Sequence, residues 1–516
     1  MAYKHIGRDF TPPDIFGKVT GQAKYAEDYR ADGMVFMKTW DSPLPHARVT
    51  NIDASAALAM DGVVAVLTPE EVPEVEDAAE VMLSAEPSYV GEPIVAVAAE
   101  TEQIAADALA KIRVDLEPMP FVMDPLDSLR PDGPNAREGG NAANRGVPLQ
   151  THKWTNGDFQ SGDDGLPTSG SALIDWSFGD VDAGFEKANI VLDETFVTAS
   201  NPHHSMEPRS AMCYWENGKC FVHGSCQSQS FALPSIARML GIEPSDVVFI
   251  AEYCGGGFGS KGGPYAIMLL PAVMSKKIGR PVMHRVSREQ EFYWGSARAG
   301  FQGRIKMGFG NDGRITAVDL YIVQQNGPKT GFPDYASAAD AVTLVYQPES
   351  MRFRGIPVLT NTTPAGAQRG PGQNQMAMVI EPLLDKAAKA LEVDRIDMRR
   401  VNAPTMDGTY SDEQGPLTSA YLREAYELGA REFDWEAKMA RSGEQNGSKV
   451  IGVGVGQAFH SGGSNGFDGL VRLTPDGVVH IHSGVGNLGT YSYAGTSRVV
   501  AEVLQCDWER CVIHRG

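Results

Sequence analysis

Cysteine is scarce in this chain and is never spaced for metal. The six cysteines, at 213, 220, 226, 254, 506 and 511, include no C-x-x-C pair, so neither a zinc site nor a cysteine frame for an iron-sulfur cluster is encoded. Any iron-sulfur relay is therefore expected on another chain. H-E-x-x-H is also missing. The eleven histidines include His203-His204 and the pair His480 and His482; alternation over residues 478–482 predicts a strand with both of the latter on one face, not a metal site. No apolar run is long enough to span a bilayer. Residues 1–8 are polar, without the apolar core of a secretion signal, which points to the cytoplasm. Basic residues are outnumbered, 45 Lys and Arg against 65 Asp and Glu, for a net charge of −20. That balance argues against a nucleic-acid partner and leaves room only for a local basic pocket. No G-x-x-x-x-G-K-[ST] occurs, and no internal repeat or low-complexity tract is present.

The length of 516 residues predicts three or four domains. Over residues 1–130, a strand is expected at 92–98, and Thr101 opens a helix with Ile104, Ala108 and Ile112 on one face, giving a compact α+β unit. Residues 131–171 are rich in Gly, Asn, Asp and Pro and read as a linker draped over a surface. Strands and helices mix again over 172–435, with a helix expected at 381–391. Beyond a polar connector at 436–448, strands are expected at 450–455 and over 469–483, the latter turning at Pro475-Asp476-Gly477. A helix at 496–504 and a strand beginning at Val512-Ile513 complete what reads as a broken domain over 450–516.

The most informative stretch is Tyr253-Cys254-Gly255-Gly256-Gly257-Phe258-Gly259-Ser260-Lys261. Glycines admit positive φ and close approach, so successive N–H groups there converge readily on a phosphate or an oxo group. A glycine turn packing a helix against a strand has the same appearance. Residues 247–250 upstream are apolar and rich in β-branched side chains, as a buried strand is, and 266–274 downstream fit a packed helix. The GGGFG core is read as distinct from the dinucleotide fingerprint, so a nicotinamide or simple phosphate enzyme is the weakest reading.

Five motifs then occur in order: DIFGKVTGQAKY at 14–25, SPLPHAR at 42–48, YVGEP at 89–93, the GGGFG cluster, and QRGPG at 368–372. Together they resemble the large, molybdopterin-binding subunit of the xanthine dehydrogenase and aldehyde oxidase family of molybdenum hydroxylases. The likeness covers nearly all of this chain and about the first two thirds of that family's subunit. It implies an α+β architecture with a hammerhead domain over 1–130, a linker over 131–171, a first molybdenum-cofactor-binding domain over 172–435, and over 450–516 the start of a second, completed by another chain. It also implies a molybdenum-molybdopterin cofactor, with its cytosine dinucleotide form left open. The metal is held by the pterin dithiolene, so no direct protein ligand is expected. A 2Fe-2S cluster and FAD are expected on partner subunits.

The resemblance carries over to particular positions. Gln227 falls where the family has a glutamine donating a hydrogen bond to an oxo ligand. Phe258 matches a loop residue whose backbone N–H faces that ligand, flanked by the cofactor-binding glycines Gly256, Gly257 and Gly259. Arg369 matches a cation that stabilises developing charge. Gly489 and Thr490 lie on a family loop that usually carries glutamine where Thr490 stands. Glu207, Arg399 and Arg400 are read as structural charges. Purine-oxidising members have a carboxylate where this chain has Gly262, an arginine where it has Ser337, upstream of Tyr346, and an aromatic where it has Pro371, so a small aliphatic or alicyclic substrate is expected rather than a purine. The family's glutamate base lies beyond residue 516, which implies a companion chain or a truncation. The expected activity is hydroxylation or oxidation of a small organic molecule with oxygen from water. The alternatives are a hydratase or alcohol dehydrogenase acting on an alicyclic ketone or alcohol, and a non-catalytic cofactor carrier or assembly partner.

Overall fold

A computed structural model describes residues 3–73, 81–159, 166–167, 171–263, 265–459 and 469–515. The larger part of it is built on two seven-stranded sheets. In the first, the strands run in the order Val247–Ile250, Lys219–Gly224, Ala211–Glu216, Val282–His284, Val35–Asp41, Pro93–Ala99 and Val63–Leu67. Pro93–Ala99 shows why this sheet holds. It is buried along its whole length, with Ala96 and Ala98 facing one core and Val95, Val97 and Ala99 another, as the two-residue period of a strand requires. The second core is closed by the helix Glu102–Leu109, whose N-terminus is capped by Thr101 accepting from the Ile104 N–H at 3.2 Å.

Residues 1–130, expected as a unit of their own, share this sheet with the following segment, since Val35–Asp41 pairs in parallel with Val282–His284. The region 131–171 likewise departs from a draped linker. It supplies the strands Ala142–Asn144 and Val147–Gln150 to the second sheet, and it buries Trp154, whose Nε1 donates to the Tyr321 hydroxyl at 2.9 Å. A single tryptophan with a satisfied indole is enough to pin such a segment down. The rest of that sheet comprises Ile174–Phe178, Met351–Val358, Ile315–Gln325, Gly300–Phe309 and Ile190–Thr198. The helices Asp334–Val345 and Gln373–Ala390 bury their apolar faces on it.

Two further expectations need correction. The helix expected at 381–391 starts at Gln373, because Gly370 and Gly372, both at positive φ, deliver the chain into it and Pro382 is tolerated in its interior. The strand expected at 450–455 is reduced to Lys449–Val450, paired with Gln445–Asn446. Its alternation is genuine, but among the described residues nothing pairs with the remainder, and Gly452 and Gly454 add no side chain to pack. The strands Gly469–Leu473, Val479–Ser483 and Cys511–Arg515 form a small sheet under the helix Ser492–Val503. Among the described residues no helix is long and apolar enough to cross a membrane.

Candidate functional site

The strands Lys219–Gly224 and Val247–Ile250 are parallel neighbours, with Cys220 opposite Val247 and His223 opposite Ile250, and they are joined through the helix Gln229–Leu240. Parallel strands release the chain at the same edge of a sheet, the usual place for a site. Here Gln227 and the glycine loop leave side by side. The Gln227 N–H donates to the Lys261 carbonyl at 2.8 Å, and its side-chain Oε1 accepts from the Gly259 N–H at 2.8 Å and the Lys261 N–H at 3.2 Å. Two backbone donors aimed at one atom identify it as the amide oxygen. The NH2 group is then left without a partner among the described residues. Gly257 makes this possible, because a Cβ there would lie 2.2 Å from that oxygen.

Three successive N–H groups of the loop, those of Gly256, Gly257 and Phe258, also donate to no described residue. Phe258 sits at φ 53°, a left-handed conformation that is rare for an aromatic, with its ring 43% exposed. The loop is held from beneath by a buried charged layer. Glu207 accepts from the Gly255 N–H at 2.6 Å, the Ser225 hydroxyl at 2.5 Å and the Ala26 N–H at 3.0 Å. Lys261 is fully buried, with Nζ donating to the Glu207 carbonyl at 2.6 Å and to Ser225 at 2.9 Å. Arg209, paired with Glu291, donates to the Ser260 carbonyl and hydroxyl. Breaking such a pair costs about 3–5 kcal/mol by stranding a charge, so this layer holds the loop in one shape. In the sequence Lys261 stands out only as the last residue of the glycine stretch, and Arg209 and Glu291 have no local signature.

Arg369 meets the same loop, its N–H donating to the Phe258 carbonyl at 2.7 Å. Its exposed side chain has no hydrogen-bond or ion-pair partner among the described residues. The segment is fixed by Arg298, which sequence reasoning passed over. Its guanidinium donates to the Arg369 carbonyl at 2.7 Å, the Gly370 carbonyl at 3.0 Å and Gln375 Oε1 at 3.0 Å. Gln375 in turn donates to Asp334 at 2.8 Å. Burial pushes the Asp334 carboxyl up to about 6 and lowers the Arg298 guanidinium. A cavity of ≈ 620 Å³ lies over Phe258, Arg369 and Arg298, bordered by His203. Burial pushes His203 down to about 4, so it is neutral at pH 7.

The loop 484–487 completes the surround. The Gly486 N–H donates to the Gln227 carbonyl at 3.0 Å, and the Cys254 N–H donates to the Asn487 carbonyl at 3.0 Å. Asn487 is tied to Asp14 at 2.6 Å, and Asp14 pairs with Lys18 at 2.8 Å. Gly489 and Thr490 are exposed beyond this junction, and the Thr490 hydroxyl bonds Ser492 at 3.0 Å rather than the glycine loop. Arg399 is buried against Glu381 and Asp385, and Tyr346 donates to Glu381, so both are structural. The glycine stretch does contain a G-x-G-x-x-G spacing in Gly257, Gly259 and Gly262. However, the Gln227 side chain covers Gly257 and takes the Gly259 N–H, contacts a bare pyrophosphate loop does not have. The histidine pair resolves into stacking and a hydrogen bond, His480 Nδ1 lying 2.9 Å from His514 Nε2.

The arrangement presents donors: one amide NH2, three backbone N–H groups and one guanidinium. Glu207 is fully engaged, burial raises the Cys254 thiol, and among the described residues no group of three metal-ligating side chains exists. Such a site suits a group that brings its own metal ligands and presents oxygen atoms.

Three family models match in succession. The aldehyde oxidase and xanthine dehydrogenase a/b hammerhead domain matches residues 20–120, and molybdopterin cofactor-binding domains match residues 166–403 and 428–516. The nicotine 6-hydroxylase large subunit of Paenarthrobacter nicotinovorans is 26% identical over 535 residues, 96% of this chain and 62% of its own length. The nicotinate dehydrogenase large molybdopterin subunit of Eubacterium barkeri is 29% identical over 414 residues, 78% of this chain and 90% of its own length. The aldehyde oxidoreductase structure from Desulfovibrio gigas superposes with a TM-score of 0.82 at 23% identity, over 98% of this chain and 55% of that one. The chain thus spans less than two thirds of most of these proteins.

Proposed function

This chain belongs to the xanthine dehydrogenase and aldehyde oxidase family of molybdenum-dependent oxidoreductases, as a molybdenum-cofactor-binding subunit, and from that premise we propose that it orients a molybdopterin cofactor for the hydroxylation or oxidation of a small organic substrate. The bound cofactor supplies two-electron chemistry with oxygen from water, and the electrons leave through iron-sulfur and FAD subunits. The observation that carries this reading is the Gln227 amide, whose oxygen is consumed by the Gly259 and Lys261 N–H groups while its NH2 stays free to donate. With the N–H groups of Gly256, Gly257 and Phe258 it forms a neutral donor set that polarises oxygen without adding charge, and Arg369 contributes a cation that attracts a negatively charged reacting group. Held by Arg298 and Lys261, these groups need little reorganisation.

Gly262, Ser337 and Pro371 provide neither the charges nor the flat ring that grip a purine in related sites, which supports a different substrate. We further propose that a companion chain completes the domain over 450–516 and supplies the proton-accepting base. A relative described as a large molybdopterin subunit matches this chain over 90% of its own length, in keeping with a divided subunit. Metal and pterin analysis of the purified complex tests the reading: molybdenum and pterin near one per chain, with turnover that requires an electron acceptor, is the expected result. An active complex free of both removes it, and turnover of an unsaturated ketone without acceptor transfers the proposal to hydration.

A further inference from the structure

A second cavity, of ≈ 960 Å³, opens between the loop joining Ala142–Asn144 to Val147–Gln150 and the residues that lead into Arg369. Its wall carries Arg137, Arg145 and Lys329, with Asn144, Thr330 and Phe332 between them, and no acidic side chain. That composition stands out in a chain of net charge −20. Lys329 is already matched, lying 3.5 Å from the buried Glu92 carboxylate. Arg137 and Arg145 are exposed, and neither guanidinium has an ion-pair partner among the described residues. Two free guanidinium forks beside hydroxyl and amide donors are suited to a carboxylate, which such forks bind through two parallel N–H···O bonds. Phe332 supplies an apolar face for the remainder of a small ligand.

The two cavities are adjacent along the chain. Ala365, Gly366 and Ala367 border the outer one, and Gln368, Arg369 and Gly370 border the inner one. Ser296 and Arg298 repeat this relation on the opposite segment, which is tied to the first by the Ala297 N–H donating to the Pro364 carbonyl and the Gly366 N–H to the Ala297 carbonyl. Resting on the function proposed above, we infer that the substrate class is small organic carboxylates, with Arg137 and Arg145 recognising the carboxylate in the outer cavity. The reacting end of the molecule then lies toward Phe258 and Arg369. Both arginines are surface side chains on the rim, so replacing them leaves the core untouched.

The test is equilibrium binding of benzoate and of benzamide, equal in shape and different in charge, to the assembled complex and to Arg137→Gln, Arg145→Gln and the double variant. The expected result is a preference for benzoate of about tenfold or more, consistent with charge-assisted pairing. It weakens as salt rises from about 50 to about 500 mM and is lost in the double variant while benzamide affinity holds. Equal binding of the two probes, or a preference that survives the double substitution, overturns the inference. So does arginine-dependent benzoate binding that appears only when the partner subunits are absent, because the cavity then receives an acidic side chain of a partner. The readout does not depend on the cofactor. A complex without molybdenum and pterin that still discriminates benzoate removes the proposed function and leaves a carboxylate site, whereas a complex containing both that fails to discriminate removes this inference alone.

Discussion

Gln227 performs two separable roles with the two ends of one amide. Its oxygen organises the loop by accepting from Gly259 and Lys261, and its NH2 is available to a ligand. Glutamate keeps the acceptor and deletes the donor, so Gln227→Glu retains the loop while removing the proposed contact and adding a negative charge. Removing one preorganised donor of this kind costs about 10²–10³ in kcat, and a fall of that size in the assembled enzyme, with molybdenum content unchanged, is expected. Activity within about twofold of the parent would show that the residue only supports the loop. Gly257→Ala probes the first role, since its Cβ, 2.2 Å from Gln227 Oε1, displaces the side chain altogether, and lowered molybdenum content is expected, read by metal analysis. The glycines were legible in the sequence because a positive φ or a close approach leaves few alternatives to glycine. Gln227 was legible only through family resemblance, since an isolated glutamine near a strand end has no signature of its own.

At the scale of elements, the decisive contact is between the strand–loop unit carrying Phe258 and the segment carrying Arg369, which enters the helix Gln373–Ala390. Arg298, Gln375 and Asp334 set that contact, and none was legible in the sequence, because their pairing spans about 36 to 77 residues and an arginine at a strand entrance has no periodicity to betray it. The helix start was masked for a related reason: Gly370, Gly372 and Pro382 are breakers by composition, and only the packing of Gly372 against the Asp334 carbonyl makes the early start necessary. Asp334 gives this unit a pH dependence whose sign follows from burial. Its folded pKa, about 6, lies above the unfolded value of 3.8, so its contribution to stability is fully present below about 3.8 and is lost as pH rises through about 6. Between about pH 5 and pH 7.5 the loss is on the order of 1 kcal/mol. Asp334→Asn keeps an acceptor for Gln375 and cannot ionise. Denaturant unfolding of the two proteins should therefore converge or cross as pH rises over that interval, and a difference that stays constant with pH would show that Asp334 does not titrate there.

At the scale of the molecule, shared structure runs across every expected boundary: a sheet joins residues 1–130 to the strands of the glycine loop, and Glu207 reaches back to Ala26. The order of units was legible from motifs, but their merging was not, because strand pairing between distant segments leaves no local mark. The unit over 469–515 behaves differently. Val471 and Leu473 pair with Ile481 and Val479, so they share the face that buries those two residues, yet they remain 43% and 63% exposed. The apolar face thus extends past the helix Ser492–Val503 that covers its centre, and the edge strand beyond it offers open N–H and carbonyl groups. A companion that adds structure at this edge removes both liabilities. Leu473→Asp separates folding from assembly, because an exposed position away from special features changes stability by only about 0.5 kcal/mol, whereas a charge placed in a desolvated seam costs several kcal/mol. The expected outcome is an unchanged unfolding midpoint for the chain alone, loss of companion binding in co-purification, and in the parent slowed amide exchange over Gly469–Leu473 only once the complex forms. If Leu473→Asp assembles normally and the exchange of that strand is the same with and without the companion, the seam lies elsewhere on the molecule.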